Sequence, residues 1–425
     1  MSSIAAIKAR EILDGQGLPT LQLFLWIEDG RSVVVDVPNE WSYINSLATV
    51  NRDNDNQQFN GKGVKKAITL INQTIAPQLI GISCIQQGEI DKTLLELDGT
   101  NNKSQLGANT LLGLSMAVLK AGALSTNLSL YNYIYQKYQL TDLLSIPNCI
   151  YPLINGGDFG NDNLDFMEFE LIPASHVSFQ KSITMASTLN EKIKDVIETK
   201  GGSVCTGTQG GFLPRMNNNS DVFELLLEAI KVSHYTFAQE VFFGLDAGAN
   251  DLIIDDHYHL RDRPDKYSSE ELLQFHLQLR EKYKTIYLED PFNNNDEKSW
   301  QKITDRLGNT TKIVGDELIR GDKDKLSKAI KQKTCNSVCI KLLDYGTISE
   351  TLHAIKLAKD AELSVIVADH SGETNDTLSV DLAVGIGSDY VKFGPPNRGE
   401  KVAKYNRLIE INEEIEDPNQ ESDNT

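Results

Sequence analysis

Six ionisable residues each close a short apolar run: Asp246 after VFFGL, Glu289 after TIYL, Asp316 after KIVG, Lys341 after SVCI, Asp369 after SVIVA and Lys392 after YV. Asp246, Glu289 and Asp316 offer hard oxygen ligands of the kind Mg²⁺ takes. Lys341 and Lys392 offer an amine base and a positive charge beside them. A single strand-end acid more often caps the next helix or pairs with a lysine. Three at matching ends favour a metal centre. The competing reading of the two lysines is a salt bridge to these same acids.

Something must bring these residues together. Each apolar run is followed by a helix-like stretch and then by the next run. That rhythm is the signature of a β/α barrel, whose chemistry gathers at the carboxyl ends of its strands. Upstream the pattern differs. IAAIKAREI, TLQLFLWIE and RSVVVDV predict a β-meander with an Asp29-Gly30 turn between the last two strands. Residues 39–60 are polar and asparagine-rich and predict a loop. VKKAITLINQTI, IQQGEIDKTLLEL, LGANTLLGLSMAVLKAGA and LSLYNYIYQKY show helical apolar periodicity. Ser268-x-x-Glu271 and Thr347-x-x-Glu350 predict capping boxes, and Ser220-Asp221 predicts another helix start. The organisation expected is an α+β N-terminal domain over 1–140, a barrel over 141–415 and an acidic tail over 416–425.

At 425 residues, with 40% hydrophobic and 24% charged residues, the chain can bury two cores. Its net charge of −19, from 41 basic and 60 acidic residues, argues against nucleic acid and anionic membrane surfaces as partners. No apolar run long enough to span a bilayer, and no secretory leader, is expected. Cys84, Cys149, Cys205, Cys335 and Cys339 are scattered without a zinc pattern. They read as free thiols in a reducing compartment, and the expected location is cytoplasmic.

Nine strings carry a more specific likeness: AREILDGQGLPT, LELDGTNNKSQLGAN, INGGDFGN, EFELIP, QGGFLP, LEDPF, IVGDE, HSGETNDT and AKYNRL. In this order and spacing they resemble the enolase family over nearly the whole chain. The resemblance implies an α+β domain followed by an enolase-type (β/α)8 TIM barrel of atypical strand order, usually in a homodimer. It also implies a small carboxylate/phosphate substrate and a glycolytic reaction, dehydration of 2-phosphoglycerate to phosphoenolpyruvate with two Mg²⁺. Carried across residue by residue, Asp246, Glu289 and Asp316 match the ligands of one magnesium and Ser42 a ligand of the second. Lys341 matches the general base and Lys392 a substrate-binding lysine. Glu168 matches one of two glutamates on the leaving-group side.

Other matched positions depart from the family. Gln209 stands where the family has the second acid, and Thr208 where it has aspartate. Phe159 replaces a histidine and Met167 a glutamine. Asp369-His370 replaces His-Arg, so His370 stands in for a phosphate-binding arginine, with Ser371 retained. Gln16 replaces another arginine. In the lid segment Glu40 and Ile44 replace glycines, and Trp41 adds bulk. The enolate-forming half is thus retained and the leaving-group half altered. Three functions fit this pattern: an enolase-type lyase, an enolate-forming enzyme on a different carboxylate, or a non-catalytic scaffold that keeps Mg²⁺ for stability.

Overall fold

The computed structural model describes residues 2–40, 48–160 and 164–417. β1 (Ile4–Leu13), β2 (Pro19–Ile27) and β3 (Ser32–Asp36) form an antiparallel sheet in the order β1-β2-β3. The β2–β3 turn falls at Asp29-Gly30, where Gly30 holds φ +89, a conformation that suits glycine. Alternate residues of β2, Leu21, Leu23, Leu25 and Ile27, are buried beneath the helix Ala108–Thr126. Helix and sheet approach closely at Gly113, where an added Cβ would lie 2.8 Å from both Leu23 and Val37. Ala108–Thr126 is long and apolar enough to cross a membrane by length and composition alone, though Lys120 and several polar residues interrupt its apolar run. With 83% of its apolar window buried inside the protein, it is the core helix of this domain.

The first predicted helix is not uniform. Lys65–Thr69 is α-helical, Leu70–Ile75 widens to a π turn, and Ala76–Leu79 resumes α geometry. Pro77 supplies the reason: it has no N–H to donate and its ring crowds the carbonyl four residues back.

The barrel comprises β4 (Asn148–Asn155), β5 (Glu168–Pro173), β6 (Val241–Asp246), β9 (Thr285–Glu289), β10 (Lys312–Gly315), β11 (Ser337–Ile340), β12 (Ser364–Ala368) and β13 (Tyr390–Lys392). Between β6 and β9 lies a two-stranded hairpin, β7 (Ile253–Ile254) and β8 (His257–Tyr258). Strand order is sequential around the closed ring. The atypical feature is direction, because β5 runs antiparallel to both β4 and β6. The first residue of β5 therefore lies level with the last residue of β6, and Glu168 pairs with Asp246.

Inside the barrel Ile150, Ile172, Tyr287, Val314, Cys339, Ile366 and Ala368 form an apolar floor. Side chains alternate along a strand. Glu289, Asp316 and Lys341 thus share the inward face of Tyr287, Val314 and Cys339, two residues earlier.

The Ser268 box forms fully ahead of the helix Ser269–Tyr283. The helix Asn219–Lys231 is capped by Asn218, two residues before the predicted Ser220. Thr347 accepts from the Glu350 amide, half of the expected capping box, with the Glu350 carboxylate taking the Thr347 hydroxyl rather than its amide. The two preceding amides use the N-terminal domain: Ile348 N–H donates to Ser115 Oγ and Ser349 N–H to Asp91 Oδ2, each at 2.9 Å. Lys103–Glu350 and Lys120–Asp376 ion pairs also join the domains. The β-meander domain is thereby fastened over the strand ends that carry the charged residues.

His276, on the helix Ser269–Tyr283, donates from Nε2 to the Pro291 carbonyl at 3.0 Å. Burial lowers its imidazole from 6.5 to about 4. Below pH 6.5 the unfolded chain takes up a proton that the folded chain refuses, so stability falls as pH drops towards 4, by about 3 kcal/mol in all. His276→Phe is expected to flatten that slope in urea unfolding at pH 7 and pH 4.5. An unchanged slope would locate the acid sensitivity elsewhere.

Candidate active site

At the carboxyl end of the barrel, one pocket is lined by Glu168, Gln209, Asp246, Asp316, Lys341 and Lys392, with Phe159, Met167, Asp369 and Ser371 at its edges. Its cavity of about 60 Å³ gives room for roughly four to six water-sized groups. Ser42 lies outside the described residues.

Lys392 Nζ reaches Glu289 at 2.6 Å, Glu168 at 3.2 Å, Asp246 at 3.3 Å and Glu170 at 3.6 Å. Lys341 Nζ meets Asp316 Oδ2 at 2.5 Å. Burial would favour the neutral amine of Lys341, but Asp316 outweighs it and holds the group as an ammonium. Burial also pushes Asp246 up to about 6, Lys392 opposing and Glu168 reinforcing the shift. Burial and the neighbouring Asp246 push Glu289 up to about 7. Negative charge is therefore crowded here beyond what the two lysines neutralise.

The donor set fits a hard cation. Glu289 groups with Asp246 and Asp290 on one side and with Asp316 and Cys339 on the other, ligand atoms in each cluster lying within 4.8 Å of one another. Its Oε1 is buried and has no hydrogen-bond partner, a costly state for a carboxylate oxygen unless a cation takes it. Such oxygens suit Mg²⁺.

Family models match both parts of the chain: "Enolase, N-terminal domain" over residues 4–134 and "Enolase, C-terminal TIM barrel domain" over residues 143–423. The chain belongs to the enolase family. Within that family fold, the substituted positions make contacts of their own.

Gln209 is buried and lines the same pocket as Glu168. Thr208 N–H donates to the Phe159 carbonyl at 3.0 Å. Gln16 bridges the Thr208 and Ser371 carbonyls, at 2.9 Å each. Asp369 follows the inward-facing Ala368 by one residue and so turns off the barrel axis. There it meets Lys401 at 3.2 Å and Lys404 at 3.5 Å. These lysines largely cancel the negative charge that Asp369 would present to a phosphate. His370 is engaged at both ring nitrogens: Nε2 accepts from the Leu343 amide at 3.0 Å, which leaves Nδ1 to donate to Glu40 Oε2 at 3.3 Å.

Sequence reasoning did not place Glu170, Asp290, Glu317, Arg320, Lys401 or Lys404 at the site. Glu170 was within reach, since it follows Glu168 by two residues on one strand and must share its face. Burial raises the Glu170 carboxyl well above its usual range, Lys392 opposing. Lys401 and Lys404 sit three residues apart on one face of the helix Gly399–Glu416. Only the packed helix shows that this face meets Asp369.

Proposed function

We propose that the pocket is an enolase-type lyase site, removing water from a small β-hydroxy carboxylate of the 2-phosphoglycerate type with Mg²⁺ as cofactor. The observation that carries this reading is that Lys341, Lys392, Asp246, Asp316 and Glu168 line one pocket, with Glu289 buried against Lys392 at 2.6 Å. Bound at these acids, Mg²⁺ would absorb their charge, release Lys341 from its ion pair and offset the second negative charge that develops on the substrate carboxylate.

Lys341 takes the proton from the carbon next to the carboxylate. Lys392 holds the growing negative charge by its own. Glu168 gives a proton to the departing hydroxyl, which leaves as water. Gln209 holds its place in the wall but has no acidic proton to give.

The experiment is 2-phosphoglycerate with Mg²⁺ in D₂O, following the α-proton and the product separately by NMR. Exchange with product, read at saturating 2-phosphoglycerate, supports the lyase reading. A scaffold protein would give neither, while Mg²⁺ still raised its melting temperature. Gln209→Glu is expected to raise the ratio of product to exchange by about 10²-fold or more, the usual worth of a positioned acid. No change in that ratio would remove position 209 from the leaving-group side.

A second reading keeps the chemistry and changes the substrate to an unphosphorylated carboxylate. It is favoured by the pairing of every cation lining the pocket: Arg320 with Glu317, Lys341 with Asp316, Lys392 with its four acids and Lys401 with Asp369. Family membership supports a homodimer in the cytoplasm, acting in glycolysis if the substrate is 2-phosphoglycerate. Sedimentation of the purified chain checks the dimer.

A further inference from the structure

Glu40 enters the pocket from the N-terminal domain. Its backbone is fixed by the Asn39–Gly372 bridge, where each amide donates to the other residue's carbonyl, at 2.7 and 2.8 Å. Only 6% of Glu40 is exposed. One carboxylate oxygen accepts from the Ser371 hydroxyl and the other from His370 Nδ1. Burial acts against its charge, but His370, Lys341 and Ser371 together hold the carboxyl below its usual range.

The consequence concerns ligand charge. The Ser371 hydroxyl, which lines the pocket, and the N–H of the buried His370 are donors of the kind an incoming oxyanion needs, and Glu40 already holds both. The nearby positive charge of Lys341 and Arg320 also acts on Glu40. A dianionic group placed in this corner would face a fixed carboxylate and find its donors taken. Like charges juxtaposed in this way cost several kcal/mol.

We infer that Glu40 is the specificity determinant of the pocket: an internal anion that fills its oxyanion corner, so that the site takes a small β-hydroxy carboxylate whose α-carbon carries a hydroxyl and rejects one that carries a phosphate there. A hydroxyl can donate to the Glu40 carboxylate, whereas a phosphate dianion brings only further acceptors. This inference rests on the proposed lyase site and names its substrate class.

The test is calorimetric titration of the full chain with Mg²⁺, using glycerate and 2-phosphoglycerate as probes, on the unmodified protein, Glu40→Gln and Glu40→Gly. The unmodified protein is expected to bind glycerate at least about tenfold more tightly than 2-phosphoglycerate. Glu40→Gln, nearly isosteric, is expected to tighten 2-phosphoglycerate by about tenfold or more and not to tighten glycerate. Glu40→Gly, which empties the corner, is expected to do the same. The inference is overturned if the unmodified protein binds 2-phosphoglycerate as tightly as glycerate, if neither acid binds, or if neither variant gains phosphate affinity. Binding is read without turnover, so the two proposals fail separately. Glycerate that binds but exchanges no α-proton sinks the base assignment alone. Rapid exchange of tightly bound 2-phosphoglycerate sinks the Glu40 inference alone.

Discussion

Lys341→Ala is expected to reduce α-proton exchange in D₂O by about 10²–10⁴-fold, the range a positioned general base supplies. The fold should survive. Lys341 is an end-of-strand residue with 18% of its side chain exposed, and the floor beneath it, including Val314, Cys339 and Ile366, is apolar and independent of it. Near-ultraviolet circular dichroism and a Mg²⁺-dependent melting temperature check that the pocket is still formed. Exchange persisting at the unmodified rate in a folded variant would move the base to another residue. Lys392 is the alternative amine, but four carboxylates surround it, so it is the harder of the two to deprotonate.

The largest effect on stability should come from Lys392→Met. The Lys392 ammonium is the shared partner of Glu168, Glu170, Asp246 and Glu289, and its side chain is only 7% exposed. Methionine keeps much of the volume and removes the charge, leaving several buried acids with no counter-ion. Breaking a buried ion pair from one side costs about 3–5 kcal/mol. That loss should appear in urea unfolding at neutral pH without divalent cation. Mg²⁺ at roughly a hundred times its dissociation constant should return about 2.7 kcal/mol. Lys356→Ala is the control: its i,i+4 pair with Asp360 is exposed and is worth about 0.3–0.5 kcal/mol. Equal losses in the two variants would show that the acids around Lys392 carry no net charge.

The contrast between these lysines and Glu40 shows which features were legible in the sequence. Each lysine ends an apolar run, and a β-strand has a period of two. The run therefore gives both the strand and the face on which its last residue stands. The same arithmetic turns Asp369 away from the axis, one residue beyond the inward-facing Ala368. It also aligns Glu170 with Glu168. The Ser268 capping box was legible for a similar reason, because all its partners lie within one turn. Where a partner lies in the other domain, local pattern is silent. Asp91 and Ser115 cap the barrel helix Ile348–Asp360 from more than two hundred residues away. Likewise, nothing near residue 40 announces its contact with residue 371.

By itself the amino-acid order determined the family, the two-part architecture and the set of charged residues at the strand ends. These follow from periodicity and from motifs whose meaning is contained in a few consecutive residues. The tertiary structure alone decided that β5 runs backwards and sets Glu168 beside Asp246, that two helix lysines neutralise Asp369, and that the Glu40 carboxylate occupies the His370–Ser371 corner. Direction, neutralisation and occupancy depend on which distant surfaces pack together, and side-chain spacing along one segment carries no record of that.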